Sequence, residues 1–202
     1  MNENESEWLV RAIEGDDEAF ARLVELYQKP VFNLCYRMLG TPGDAEDAAQ
    51  ETFLRAYKNL KRYDRKRSFT TWLLSIASHY CIDQLRKRRL NAFSIDDEEN
   101  NWLDPSDPEK GPDALISEQE KQEQVQMLLD KLSPKDRAAV VMRYWYEYSY
   151  EEIARELSLT VSSVKSRLHR SRRELAGQWM VMQTKTAESI NAERMRHESP
   201  AF

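Results

Sequence analysis

The sequence predicts an all-α protein of two small helical domains joined by a flexible acidic linker. Three observations carry this. Glycine is scarce in a chain dominated by Leu, Ala, Glu, Arg and Lys. Apolar residues recur at three- and four-residue spacing through most of its length. The segment between Ser94 and Asp113 breaks that pattern. At 202 residues, 41% hydrophobic and 32% charged, the chain has room for one large domain or two small ones.

The first helix is expected from about Asp16, a plausible N-cap, through Phe20, Leu23, Val24 and Tyr27. Pro30 should kink or restart it, and Val31, Leu34, Cys35, Met38 and Leu39 continue the apolar face. Gly40-Thr41-Pro42-Gly43 reads as a turn. Asp44 then caps a second helix with Ala45, Ala48, Ala49, Thr52, Phe53, Ala56 and Leu60 on one side. A basic loop, Lys61 to Ser68, leads to a third helix from about Thr70 to Leu90. Its buried stripe contains Trp72 or Leu73, Ile76, Tyr80 or Cys81, and Leu85. Cys35 and Cys81 read as small core side chains kept reduced, rather than a disulfide or metal pair.

From Ser94 to Asp113 prolines and acids dominate, and Lys110 is the single cation. Such a composition buries too little surface to offset chain ordering, which predicts a tether. The expected organisation is a first domain over 1–93, a linker over 94–113, a second domain over 114–177 and a tail over 178–202. The second domain opens with a helix near Leu115 to Leu132. Ser133-Pro134-Lys135-Asp136 starts the next, with Ala138, Val141, Met142 and Trp145 along it. Ser149-Tyr150-Glu151-Glu152 fits a capping box before Ile153, Ala154 and Leu157. Ser158-Leu159 makes a turn, Thr160 caps a final helix, and Gly177 reads as its stop signal.

The net charge of −5 conceals segregation. Arg86, Lys87, Arg88 and Arg89 are contiguous, and Lys165, Arg167, Arg170, Arg172 and Arg173 crowd one helix. Local basic surface decides whether phosphates are attracted. On that helix Val161, Val164, Leu168 and Leu175 fall on one side, while Ser162, Lys165, Ser166, His169, Arg170 and Arg173 fall largely on the other. A solvated amphipathic helix would explain the two faces, but not so many cations beside one acid, Glu174. A helix-turn-helix in the major groove of DNA explains both. Ser162, Lys165, Ser166 and His169 are candidates for base contacts, and Arg170, Arg172 and Arg173 for phosphates.

No membrane-length apolar run, secretory leader, nucleophile elbow, HExxH, phosphate-cradling glycine loop or cysteine cluster occurs, so no catalytic centre, metal or cofactor is expected.

Three blocks then carry a family resemblance. The run Asp44 to Tyr57, the run Phe69 to Ala77 followed by Asp83-Gln84-Leu85-Arg86, and Tyr150 to Ala154 with Val164 to Arg170 occur in order. Together they resemble the bacterial RNA polymerase sigma factors of the extracytoplasmic-function (ECF) class. The resemblance implies a region two that grips core polymerase and opens the minus-ten element, and a region four that reads the minus-thirty-five element. It places Asp44, Glu46, Asp47, Gln50, Glu51 and Leu54 against the clamp-helix coiled coil of the polymerase. Arg62, Tyr63, Arg65, Lys66, Phe69 and Trp72 combine cations for phosphates with aromatic faces for exposed bases. Phe69 and Trp72 also suit a core. Many relatives have asparagine where this chain has His79, a further candidate for minus-ten contact, and Arg86 to Arg89 would hold duplex phosphates upstream. The implied partners are core RNA polymerase, promoter DNA and an anti-sigma factor, in the cytoplasm, with no membrane insertion and no small-molecule substrate. A stand-alone helix-turn-helix regulator would account for the second domain alone.

Overall fold

The computed structural model describes residues 3–94 and 113–197, and side chains over 4–91 and 121–184. The helices are α1 Glu3–Glu14, α2 Asp17–Leu39, α3 Pro42–Asn59, α4 Phe69–Ser94, α5 Asp113–Asp130, α6 Pro134–Trp145, α7 Tyr150–Glu156 and α8 Val161–His197, with a 3-10 turn at Leu60–Arg62. No strand occurs among the described residues. The expected tether lies largely outside them.

α2 is the axis of the first domain, and α1, α3 and α4 pack around it. Asp16 caps it as expected, accepting from the Ala19 amide at 3.0 Å. Helix α1, which the polar N-terminus did not announce, adds Leu9 and Ala12 to the core and brings Glu5 to the Tyr27 hydroxyl at 2.5 Å. Burial and the neighbouring Glu5 carboxylate hold that phenol well above its ordinary pKa. Pro30 does not restart the helix. The N–H it lacks would have met the carbonyl of Leu26, and Leu26 is an exposed position where water can serve that carbonyl. Thr41, not Asp44, is the N-cap of α3, and Pro42 occupies its first turn. In α4 the stripe resolves to Phe69, Leu73, Leu74, Ala77, Cys81 and Ile82. Cys35 and Cys81 are free and buried together. The neighbouring Cys35 thiol, with burial, raises the Cys81 thiol strongly.

The expected stop at Gly177 is overturned, because α8 continues to His197. A glycine ends a helix when it adopts the left-handed conformation, as Gly40 does at φ 90° after α2; Gly177 stays helical.

The second domain does not stand apart. α6 packs on both α2 and α4, and Leu129, Leu132, Val140, Val141 and Met142 join one continuous core with the first domain.

Candidate nucleic-acid interface

Helices α7 and α8 are set by their caps. Ser149 Oγ accepts from the Glu152 amide at 3.2 Å, and Glu152 Oε2 accepts from the Ser149 amide at 2.8 Å, completing the capping box. The Ser149 amide and hydroxyl, both donating to the Glu152 carboxylate at 2.8 Å, hold it below its usual range. Ser158 turns the chain in the left-handed conformation, φ 52°, and Thr160 Oγ1 accepts from the Ser163 amide at 3.1 Å to start α8. Val164 and Leu168 of α8 are buried with Ile153, Ala154 and Leu157 of α7.

That seating turns the other face of α8 outward. Ser162, Lys165, Ser166, His169, Arg170 and Arg173 are all exposed, so the six sequence candidates share one surface. Arg167 points inward instead and pairs with Asp136 of α6 at 2.8 Å. Two cations lie over the Tyr150 ring, Arg143 at 5.1 Å and Lys165 Nζ at 5.7 Å, contacts that sequence spacing did not reveal.

In the first domain the loop between α3 and α4 is closed on itself. Tyr63 donates through its hydroxyl to the Arg67 carbonyl, and the Lys66 amide donates to Asp64 Oδ1 at 2.9 Å. Tyr63 and Phe69 are buried, their rings 5.6 Å apart, with Tyr27 against Phe69 at 5.3 Å. The expected stacking faces at these two residues are therefore core, which shapes the loop from beneath. Trp72, half-buried, lies 5.1 Å from Tyr63. Arg62, Arg65, Lys66 and His79 are exposed. His79 Nδ1 donates to the Ser75 carbonyl at 2.8 Å, which leaves Nε2 as the ring atom open to a partner.

The four-residue basic run is divided by its surroundings. Arg86 and Lys87 line a groove of about 220 Å³ with Tyr80 and Arg55, whose guanidinium stacks on the Tyr80 ring at 4.8 Å. Arg88 pairs with Asp44, and Arg89 donates to the Leu132 carbonyl at 3.4 Å. Partial burial would raise the Asp44 carboxyl, but hydrogen bonds from Thr41 and Arg88 outweigh it and hold it below its usual range.

On α3, Glu46, Asp47, Gln50 and Leu54 are exposed, while Glu51 binds Arg55 at 2.7 Å. Glu46 and Gln50 border a groove of about 500 Å³ whose apolar lining comes from Val24, Phe32, Ala49 and Phe53. Helical spacing in the sequence set Val24 and Phe53 on apolar helix sides, and the structure turns them to this groove.

Residues 23–90 match the model of sigma-70 region 2, and residues 122–175 match that of sigma-70 region 4. The chain is 39% identical over 170 residues to the ECF RNA polymerase sigma factor SigW of Bacillus subtilis (strain 168), covering 81% of this chain and 90% of SigW. The chain belongs to the ECF RNA polymerase sigma factors. This sigma factor is also 32% identical over 178 residues to SigE of Mycolicibacterium smegmatis, spanning 87% of this chain and 68% of SigE. Its fold is shared with CnrH in complex with the cytosolic domain of CnrY, at TM-score 0.62 and 23% identity, covering 89% and 99% of the two chains. RpoE in complex with the anti-sigma factor NepR from Bartonella quintana shares it at TM-score 0.62 and 21% identity, covering 80% and 97%. As a family member the chain directs promoter-specific initiation by RNA polymerase. The stand-alone regulator reading is set aside, since it leaves the region 2 match unexplained. No helix among the described residues is long and apolar enough to cross a membrane.

Proposed function

We propose that the exposed face of α8 reads the minus-thirty-five element, that the loop over 60–72 with the outer face of α4 opens the minus-ten element, and that α3 docks on core polymerase. The observation that carries this reading is the α8 face itself: small polar and cationic residues outward, Val164 and Leu168 inward, on a capped helix-turn-helix. In the groove, Lys165, Ser166 and His169 meet base edges, and Arg170 and Arg173 meet phosphates and fix register.

At the minus-ten element Arg62, Arg65 and Lys66 hold the backbone of the separated strand, and Arg86 and Lys87 hold the adjacent duplex. Trp72 is the aromatic wall for an extruded base and His79 Nε2 a hydrogen-bonding group toward it. Extrusion costs a few kcal/mol, so the wall must replace lost stacking. Tyr63 and Phe69 act beneath, by keeping the loop in shape. On α3 the acids Glu46 and Asp47 with Gln50 and Leu54 meet the polymerase, while Asp44 and Glu51 set the helix through Arg88 and Arg55.

In this scheme region two spans 1–93, region four 114–177, with a linker over 94–113 and a tail over 178–202. The protein performs no chemistry of its own; polymerase synthesises. It works in the cytoplasm, and an anti-sigma factor competes for the surfaces that polymerase uses. The test is run-off transcription from a promoter mapped after overexpression, with purified chain and core polymerase. Promoter-specific transcripts are expected. Failure to bind core, with tight binding of duplex DNA alone, would overturn the reading.

A further inference from the structure

Helix α1 lies outside the residues that match the region 2 model, yet it reaches the loop between α3 and α4. It packs on α2 and on the 3-10 turn Leu60–Arg62 from which that loop starts. Leu9 and Ala12 account for the first contact as ordinary apolar burial. Glu5 has a different character. It is 8% exposed, and its carboxylate accepts from the Tyr27 hydroxyl at 2.5 Å, with no ion pair to it among the described residues. A buried carboxylate held by a neutral donor costs more desolvation than an apolar side chain of the same size, so packing alone does not explain its place.

A phenol has one proton, and here Glu5 receives it. The second contact of the Tyr27 oxygen, with Thr70 Oγ1 at 2.9 Å, is therefore donated by Thr70. The result is a directed relay from Thr70 in the first turn of α4, through Tyr27 of α2, to Glu5 of α1. Around Thr70 stand the aromatic residues of the loop. Phe69 meets Tyr27 edge-on at 5.3 Å and Tyr63 at 5.6 Å, and Trp72 lies 5.6 Å from Phe69. Tyr63 in turn donates to the Arg67 carbonyl. Burial, then the Asp64 and Glu5 carboxylates, raise the Tyr63 phenol and keep it a donor. Ring contacts tolerate sliding and rotation, whereas a hydrogen bond fixes direction as well as distance.

We propose that Glu5 is a positioning residue for promoter opening. Through Tyr27 it orients Thr70, and so sets where α4 starts and where the Trp72 wall stands beside the loop. Glu5 itself touches no DNA. This rests on the role proposed above for Trp72 and the loop over 60–72. Helix α1 is then part of the opening apparatus, because the group it contributes ends a chain of bonds that begins next to the wall.

Three variants of the full chain separate positioning from packing. Glu5→Leu removes the acceptor, and Glu5→Gln returns an oxygen that can accept from Tyr27. Thr70→Val removes the hydroxyl at the far end and leaves Glu5 and Tyr27 bonded. Each is combined with core polymerase on a duplex promoter and on the same promoter with its minus-ten segment already mismatched. Opening is read by permanganate reactivity, beside core affinity and amide exchange over 61–72 in the free chain. Glu5→Leu and Thr70→Val should open the duplex roughly fivefold less than wild type, the worth of about one hydrogen bond, at equal core affinity. Both should exchange faster over 61–72 and come close to wild type on the mismatched template, where the cost of extrusion is already met. Glu5→Gln should recover most of what Glu5→Leu loses. Duplex opening equal to wild type in Glu5→Leu and Thr70→Val would overturn the proposal, and so would an equal loss on both templates, which marks a general folding defect. If Glu5→Leu does not fold, Thr70→Val decides on the same criteria. If the wild-type holoenzyme opens no promoter, the role of the loop falls. Exchange over 61–72 then judges the relay by itself: unchanged exchange overturns it, and faster exchange upholds it.

Discussion

Lys165 combines two constraints that a single residue rarely carries. It projects from the outer face of α8 yet keeps its ammonium 5.7 Å from the Tyr150 ring, which limits the rotamers it must give up on meeting a base. Lys165→Ala should cost about 1–3 kcal/mol on a specific site and relax discrimination at one base position. Run-off on promoters varied singly through the minus-thirty-five element would reveal this, and unchanged preference at every position would rule out a reading role. His79 is the corresponding test at the other element. Its Nε2 can hydrogen-bond a base edge, and an asparagine amide at the same position can do so too. His79→Asn should therefore retain minus-ten opening and His79→Ala should weaken it, as read by permanganate reactivity of unpaired thymines. Equal reactivity in His79→Ala and wild type would remove the residue from the site.

At the scale of the element, short α7 depends on its ends. Seven residues are too few to be stable as an isolated helix, so the Ser149–Glu152 box and burial of Ile153 maintain it. Ser149→Ala should lower stability by about 1 kcal/mol, shifting the urea midpoint with an unchanged slope. The pH dependence follows from Glu152. Its carboxyl is depressed in the folded chain, so its contribution is present above the unfolded value and is lost as pH falls through the folded one. Acid titration of wild type should lose that contribution below the ordinary glutamate range, and Glu152→Gln should not. Most element positions were legible from sequence, because periodicity and caps act locally. Asp16, Ser133, Ser149 and Thr160 all cap where expected. The misses arose where context outweighs local preference. Pro30 sits where water can take up the freed carbonyl, Thr41 begins its helix a turn early, and Gly177 continues one that glycine is free to end.

For the whole molecule, the decisive property is which surfaces remain exposed once the two domains are packed. α3 keeps Leu54 54% exposed beside the apolar groove of Phe32 and Phe53, an arrangement suited to a protein partner. Leu54→Ala should weaken binding to core polymerase without changing thermal stability, measurable by competition against wild type for limiting core. A fall in melting temperature with unaltered competition would assign Leu54 to folding instead. The same packing engages Arg88 and Arg89, two of the four contiguous cations, with Asp44 and with the Leu132 carbonyl. A charge run in sequence therefore overstates the unpaired basic surface that the folded chain presents.

The sequence by itself determined the helical class, the caps, the helix-turn-helix with its two faces and the ordered blocks that mark the family. Each of these depends on residues a few positions apart, and spacing preserves that information. Only the tertiary structure decided that Tyr63 and Phe69 are core, that Arg167 turns inward to Asp136, and that Glu156 and Tyr148 bond to Arg67 and Thr71. Those outcomes depend on partners remote in the chain: Tyr27 for Phe69, Glu156 for Arg67, the end of α2 for Arg137. An aromatic residue at helical spacing reads alike whether it stacks on a base or on another ring. Its neighbours in space, set by packing, determine which.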